Sequence, residues 1–284
     1  MRVHICGSRG SASAPGHDFV RFGGHTSCVA ICPDGRTPTL ILDAGSGIRN
    51  VGRLLGDAAF AGSILLGHLH WDHTCGLPFF RAGDQPESRV DLFMPHQDGE
   101  EAASVLERSM SPPHFPITPA QLRGSWSFNT LKEGKHLIEE FEVVAREIPH
   151  KGGTTFGYRV DDGRASVAYL SDHNPSEAGD GPAGLGEYHE AAVELAEGVD
   201  LLIHDAQYSE REWKTRSDYG HSTPAYAIGL AQQTGAGSVL LFHHDIDRTD
   251  SQLDALVDAC RKVSSVDVQV AYEGQVIDVP GNTG

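Results

Sequence analysis

Five short apolar segments of this chain each run directly into a histidine or an aspartate. Segments of this length, rich in valine, isoleucine and leucine, predict buried β-strands. The residues at their ends are His68, His150, Asp172, Asp205 and His243. Because catalytic and metal-binding groups of sheet-based folds gather outside the strand ends, the pattern predicts that these side chains meet at one edge of the fold.

The densest group of polar side chains follows the apolar segment SILLG. Its sequence, HLHWDH, contains His68, His70, Asp72 and His73. Imidazoles and carboxylates without thiolates are typical of catalytic zinc, manganese or iron sites rather than of structural zinc sites. The spacing allows His68 and His70 to bind one metal ion, while Asp72 and His73 point differently and serve a second ion. Two such ions about 3.5–4 Å apart share a hydroxide nucleophile.

The order of the predicted elements indicates the fold class. Strands joined by hairpin turns come first in each half of the chain, and alternating strands and helices follow. This order fits an α+β fold, an αββα sandwich of two mixed β-sheets flanked by helices. We expect a single domain over residues 1–284, with an inserted helix and irregular arm at about 96–135, where SPPHFPITP cannot continue a helix. The final segment, VQVAYEGQVIDV, predicts a closing hairpin.

Composition restricts the partners and the compartment. The chain carries 22 basic and 39 acidic residues, a net charge of −17, which repels polyanions and makes a nucleic-acid polymer an unfavourable partner. Its five cysteines are scattered without a C-x-x-C pair, which indicates reduced thiols rather than disulfides or a thiolate zinc site. The sequence has neither an apolar stretch of membrane-spanning length nor an apolar signal region, so we expect a cytoplasmic protein without a membrane partner.

The segment HLHWDH matches the H-x-H-x-D-H signature of the metallo-β-lactamase superfamily, and the later polar positions follow in that superfamily's usual order. The chain most resembles the phosphodiesterase branch that includes ribonuclease Z and the cyclic phosphate phosphodiesterase of the carbon–phosphorus lyase pathway. The resemblance implies two divalent metal ions, zinc in the first place with manganese or iron as alternatives. It also implies their ligands: His68, His70 and His150 on one ion, Asp72, His73 and His243 on the other, and Asp172 bridging both.

A second stretch, HDAQY followed by GHSTPAYAIGLAQQTGA and LLFHHD, resembles the C-terminal pattern of the same branch. In that branch a carboxylate orients a histidine that assists departure of the leaving group, and the corresponding residues are Asp205 and His221. The implied mechanism is attack of a metal-bridging hydroxide on phosphorus, with His221 protonating the leaving alkoxide. The branch usually carries glutamate at the position of Asp205, and the neighbours His204 and His244 compete with Asp205 and His243 for their roles.

Three hypotheses for the substrate stay open. The first is a small-molecule phosphodiester of the cyclic nucleotide or cyclic phosphate type, which the positioned acid His221 favours. The second is a carboxylic ester, thioester or lactone, since the same hydroxide attacks carbonyl carbon. The third, a transfer-RNA 3′ endonuclease, is less favoured because residues 151–200 lack a basic arm and contain an acidic loop.

Other interpretations of the chain are weaker. A non-catalytic binding protein is ranked last, because all seven ligand positions are filled. The N-terminal segment GSRGSASAPG fails the phosphate-loop patterns, so a flexible turn is the better interpretation. Relatives in this branch often form dimers, and a homodimer is expected by that analogy alone.

Overall fold

Two seven-stranded β-sheets form the centre of the fold. The computed structural model describes residues 1–56, 58–181 and 183–280. The first sheet contains, in spatial order, β14 (Val276–Asp278), β1 (Arg2–Gly7), β2 (Cys28–Cys32), β3 (Leu40–Leu42), β4 (Ala61–Leu65), β5 (Arg89–Pro95) and β6 (Ser125–Leu131). Neighbours from β14 to β3 are antiparallel and neighbours from β3 to β6 are parallel, so the sheet is mixed.

The second sheet repeats this plan from the other half of the chain. It contains, in spatial order, β13 (Asp267–Val270), β12 (Ser238–Phe242), β11 (Leu201–Asp205), β10 (Ser166–Leu170), β9 (Phe156–Asp161), β8 (Phe141–Glu147) and β7 (Gly134–Ile138). Neighbours from β13 to β10 are parallel and neighbours from β10 to β7 are antiparallel. Parallel strands that are covered on both faces read as continuous apolar runs. This explains why β10, β11 and β12 were evident in the sequence.

Helices surround the two sheets. They are α1 (Val51–Leu54), α2 (Trp71–Thr74), α3 (Ala102–Glu107), α4 (Glu190–Ala196), α5 (Glu210–Arg216), α6 (Pro224–Thr234) and α7 (Asp250–Val263). Among the described helices, none combines the length and apolar character needed to cross a bilayer.

Three apolar clusters fill the spaces between the layers. The first lies between the sheets and joins β1 to β4 with β8 to β12, for example Leu42 with Phe141 and Leu240. The second packs α4, α6 and α7 on the second sheet, and the third packs α1 and α3 on the first. The order of layers is helix, sheet, sheet, helix, which confirms the predicted αββα sandwich.

Helix α6 begins and ends where its sequence predicts. Thr223 caps the helix by accepting a hydrogen bond from the backbone N–H of Tyr226, and Pro224 occupies the first turn. Gly235 ends the helix in the left-handed conformation, with φ at 69°. The helix follows β11 and brings His221, three residues before Pro224, to the edge of the sandwich.

Two predicted features differ from the structure. Strand β6 and the beginning of β7 lie within the range predicted as an irregular arm. Both are edge strands with half-exposed side chains, so they lack the apolar run that marks a buried strand. The predicted closing hairpin is wrong, because β13 pairs with β12 in the second sheet whereas β14 pairs with β1 in the first. The single-domain organisation stays a prediction.

Candidate metal centre

The histidine-rich segment reaches the edge of the sandwich through a sharp turn after β4. Strand β4 ends at Leu65, His70 has an extended backbone, and α2 begins at Trp71. The short helix directs Asp72 and His73 inward, where both are buried, and leaves Trp71 exposed to solvent. One turn of chain therefore presents side chains to two adjacent positions.

The first group of possible ligands comprises His68, His70, His150 and Asp172, whose ligand atoms lie within 4.8 Å of one another. His150 follows β8 and its Nε2 is 3.3 Å from Nδ1 of His70. Asp172 follows β10 and its Oδ2 is 3.4 Å from Nε2 of His150 and 3.6 Å from Nε2 of His68. These four side chains therefore follow three strands, β4, β8 and β10, and converge on one position.

The second group comprises Asp72, His73, Asp172 and His243 within the same 4.8 Å limit. Oδ1 of Asp172 is 3.1 Å from Nε2 of His73 and 3.0 Å from Nε2 of His243. Nε2 of His243 is also 3.1 Å from Oδ2 of Asp72. Asp172 thus faces the first group with Oδ2 and the second with Oδ1, which is the position of a bridging ligand.

The donor atoms fit divalent metal ions. Nε2 of His68, Nε2 of His73 and Oδ1 of Asp172 are buried and have no hydrogen-bond partner within the described part of the chain. Buried polar atoms without a partner are unfavourable, and a cation in each group would satisfy them, one beside His68 and the other between His73 and Asp172. Nitrogen and oxygen donors without thiolate suit zinc, manganese or iron.

Electrostatics leaves several of these donors in the ionisation state that binds metal. Burial lowers the pKa of His68 well below its usual range and lowers that of His150 to about 4, so both imidazoles are neutral at physiological pH. Burial acts to raise the pKa of Asp172, but the nearby His243 and His73 outweigh it and lower that pKa well below its usual range.

Asp43 supports the site, and sequence reasoning missed it. Its Oδ2 accepts hydrogen bonds from Nδ1–H of His73 and the hydroxyl of Tyr169, both at 2.7 Å, and its Oδ1 accepts from the backbone N–H of Gly67 at 2.7 Å. The hydrogen bond from Nδ1–H of His73 to Asp43 fixes the tautomer of His73 and leaves its Nε2 available as a ligand atom. A signal was available, because LILD is a further apolar run that ends in an aspartate.

Two other groups orient imidazoles in the same way. Nδ1 of His243 lies 2.9 Å from Oε1 of Gln207, and Nδ1 of His150 lies 2.6 Å from the carbonyl oxygen of Gly220. Each leaves Nε2 directed at Asp172. These partners come from loops far away in the sequence, so no local motif predicts them.

The N-terminal Gly/Ser segment lies against the site. The backbone N–H of Ser11 donates to Oδ2 of Asp72 at 2.7 Å. A Cβ atom at Gly10 would lie 2.3 Å from Nδ1 of His243, so only glycine permits this approach. The segment therefore lines the site as well as forming a turn.

The structure also brings Asp205 and His221 together, and their ligand atoms form a third group with those of Asp172 and His243 within the same 4.8 Å limit. Nδ1 of His221 is 2.9 Å from Oδ2 of Asp205 and 3.8 Å from Oδ2 of Asp172. Burial acts to lower the pKa of His221, but the carboxylate of Asp205 outweighs it and raises the pKa to about 9. The imidazole is held in one orientation next to Asp172.

The two competing histidines are buried elsewhere. His204 donates through Nδ1 to the carbonyl oxygen of Asp205 at 2.7 Å, and its Nε2 lies 3.0 Å from Nδ1 of His173. His244 bonds through Nε2 to the carbonyl oxygen of Ala271 at 2.9 Å. Neither belongs to a group that could hold metal among the described residues.

An open pocket of about 410 Å³ gives access to the site. Two aromatic side chains stand at its rim, Trp71, which is 79% exposed, and Tyr219, which is 59% exposed. The pocket is lined by Ser11, Leu69, His70, Trp71, Asp72, His150, Asp172, Tyr219 and His221.

Comparison with known proteins defines the class. The beta-lactamase superfamily domain matches residues 39–244, so the chain belongs to this superfamily. The predictions of the metallo-β-lactamase fold and of a metal-dependent hydrolase are confirmed. The identity and number of the metal ions are not set by this membership.

Individual relatives cover much of the chain. Ribonuclease Z of Limosilactobacillus fermentum is 28% identical over 224 residues, which are 63% of this chain and 68% of the relative. The metallo-beta-lactamase fold protein YhfI of Bacillus subtilis superposes with a TM-score of 0.70 at 16% identity over 98% of this chain and 99% of its own. A diphosphatase from the PhnP family superposes with a TM-score of 0.70 at 17% identity, over 99% and 98%.

Proposed function

We propose that the protein is a two-metal phosphodiesterase that hydrolyses a small phosphodiester of the cyclic nucleotide or cyclic phosphate type. The observation that carries this proposal is the His221–Asp205 pair beside Asp172. Hydrolysis of a phosphodiester releases an alkoxide, which needs a proton, and a positioned imidazole supplies one.

The ligand assignment follows the two groups of donor atoms. His68, His70 and His150 would hold one divalent ion, Asp72, His73 and His243 would hold the other, and Asp172 would bind both. Zinc is the first choice, with manganese and iron as alternatives. When bound, the two ions supply a hydroxide nucleophile and neutralise charge on the phosphate oxygens.

His221 is the proposed general acid. Its Nδ1–H is bound by Asp205, so the proton available to a leaving oxygen is the one on Nε2. The carboxylate of Asp205 favours the protonated ring, whereas the positive charge of bound metal ions would oppose protonation and lower the pKa of His221. A group that titrates near the working pH both gives and regains its proton readily.

The pocket supports a small substrate. A volume of about 410 Å³ is in the range of ordinary small-molecule sites. Its lining contains no lysine or arginine among the described residues, so bound metal ions would be the main cations that meet the phosphate. Exposed Trp71 offers a flat surface for a nucleobase, which favours a cyclic nucleotide within this class.

The other substrate classes remain as alternatives. The same hydroxide would attack a carboxylic ester, thioester or lactone, whose hydrolysis depends less on His221. Transfer-RNA cleavage is suggested by the name of the relative at 28% identity, but a net charge of −17 opposes binding of a long polyanion.

The test compares these classes on protein of known metal content. The assay uses five substrates: bis(p-nitrophenyl) phosphate, 2′,3′-cyclic adenosine monophosphate, a lactone, a thioester and a precursor transfer RNA. It compares wild type with Asp172→Ala and His221→Ala and, as control, with the exposed Asp34→Ala. We expect turnover of the two small phosphodiesters, loss of bound metal and activity in Asp172→Ala, and no change in Asp34→Ala. Turnover of the lactone or thioester alone, or of the RNA alone, contradicts the proposal.

A further inference from the structure

A second pocket, of about 380 Å³, lies beside α1 and outside the metal centre. Its walls include Arg49, Arg53 and Arg81, together with His25, Asn50 and Phe79. Within the described chain, no acidic residue contributes to the lining. Three guanidinium groups therefore share one concave surface in a protein whose net charge is −17.

Among the described residues these three arginines lack partners, which sets them apart from most other arginines of the chain. Most arginine side chains bond to a carboxylate or a carbonyl oxygen, as Arg2, Arg123 and Arg248 do. Over the described residues, four arginine side chains have no hydrogen bond, ion pair or ring contact: Arg49, Arg53, Arg81 and Arg211. Three of these four line the same pocket.

Their spacing also argues for an absent anion. Arg49 lies in the last turn of the 3₁₀ helix Ser46–Asn50. Arg53 lies four residues later in α1, which follows this helix directly. Like charges four residues apart repel each other on one helical face. Acidic side chains are abundant in the chain, yet this arginine pair has no acidic partner among the described residues, which favours a negatively charged ligand that neutralises it.

We propose that this pocket, the arginine pocket, binds a ligand that carries two or more phosphate groups. Guanidinium groups match phosphate oxygens through paired hydrogen bonds. Phe79 is 55% exposed at the wall of the pocket and provides a face for a ring attached to the phosphates. Arg49, Arg53 and Arg81 bind the phosphates, and Asn50 and His25 add further polar contacts.

The arginine pocket is connected to the metal centre through the N-terminal segment. Nδ1 of His25 lies 3.1 Å from Oγ of Ser46, which lies 3.1 Å from Oγ of Ser13. Two residues earlier, the N–H of Ser11 binds Asp72. The phosphates could therefore belong to a second part of the substrate or to a separate effector.

The first experiment measures binding alone and does not rest on the proposed function. Adenosine 3′,5′-bisphosphate, which has no phosphodiester bond, is titrated calorimetrically into metal-loaded wild type and variants. We expect one equivalent to bind wild type, and Arg49→Ala and Arg53→Ala each to weaken binding about tenfold or more. Arg211→Ala, an exposed and equally unpartnered arginine outside the pocket, is the matched control and should bind as wild type does.

A charge added to the pocket gives an independent test. A Cβ at Gly52 meets no atom within 4 Å, so Gly52→Ala and Gly52→Asp fit without steric conflict. Gly52→Asp should abolish binding while Gly52→Ala preserves it, with thermal melting used to verify that all variants are folded. The proposal is overturned if wild type does not bind the bisphosphate. It is also overturned if Gly52→Asp and the arginine variants bind it as tightly as wild type does, because the phosphates then bind elsewhere.

Kinetics then identifies the source of the phosphates. If they belong to the substrate, Arg49→Ala lowers kcat/KM for 2′,3′-cyclic adenosine monophosphate that carries a 5′-phosphate, but not for the same cyclic nucleotide without the 5′-phosphate. If they belong to an effector, adenosine 3′,5′-bisphosphate changes the rate of bis(p-nitrophenyl) phosphate hydrolysis in wild type and not in Arg49→Ala. Failure of the proposed phosphodiesterase function would remove turnover in every arm and leave the binding result unchanged.

Discussion

The carboxylate of Asp43 offers the sharpest test of how the metal centre is held. It is fully buried and accepts three hydrogen bonds of 2.7 Å, from His73, Tyr169 and Gly67. Asp43 has a left-handed backbone with φ at 59°, a conformation that asparagine tolerates better than alanine. Asp43→Asn therefore changes the charge and one acceptor with little disturbance of the turn.

The magnitude follows from these three bonds. If the amide oxygen of Asn faces His73 and Tyr169, the amide nitrogen meets the N–H of Gly67, and one buried donor is left without an acceptor. Such a loss destabilises the fold by about 1–3 kcal/mol. A neutral amide also accepts more weakly from Nδ1 of His73, so the ring becomes a poorer ligand. We expect metal affinity to fall about 10–100-fold.

Two measurements separate these effects. Urea unfolding of the chelator-treated protein gives the change in stability, and zinc titration against a competing chelator gives the change in affinity. Tyr169→Phe is the matched control, because it removes one bond to Asp43 without touching His73, and it should cost about 1 kcal/mol with little change in affinity. Wild-type affinity in Asp43→Asn, or an equal loss in Tyr169→Phe, refutes the reasoning.

Three further predictions concern catalysis, substrate and pH. His221→Asn should lower kcat about 10²–10⁴-fold for a phosphodiester with an alkoxide leaving group. The loss should be much smaller for bis(p-nitrophenyl) phosphate, because p-nitrophenolate departs without a proton. Equal losses for the two substrates would exclude His221 as the general acid. Trp71→Ala should raise KM for 2′,3′-cyclic adenosine monophosphate about tenfold and leave that for ribose cyclic phosphate unchanged, with Trp71→Phe near wild type. For Glu212, burial acts to raise the pKa, but hydrogen bonds from Arg248 and Ser209 lower it from 4.5 to about 2. That stabilisation is complete above pH 4.5 and is lost as the pH falls toward 2, so the difference in unfolding free energy between wild type and Glu212→Gln should narrow over this window; a constant difference contradicts the assignment.

Local sequence was sufficient where structure depends on local chemistry. His68, Asp172 and His243 follow continuous apolar strands, so their place at one edge could be predicted before any tertiary contact was known. Helix α6 was evident because its cap and its terminal Gly235 act within a few residues.

Other features depend on contacts between distant segments. Gln207 reaches His243 only because β11 and β12 are neighbours in the second sheet. Strand β6 lies at a sheet edge, carries mostly half-exposed side chains and so shows no apolar run. The arginine pocket joins residues of three separate segments, and nothing in any one segment alone indicates it.

The division of the ligand groups between the sheets has a consequence for assembly. The segment 68–73 belongs to the half of the chain that builds most of the first sheet. His150, Asp172 and His243 belong to the half that builds the second sheet. Ions bound to ligands from both halves would cross-link segments that are far apart in the sequence, much as a disulfide does. Cleavage of the turn between β6 and β7 would yield two fragments, each with an incomplete ligand set. Binding of metal by the mixed fragments would then indicate that they had associated.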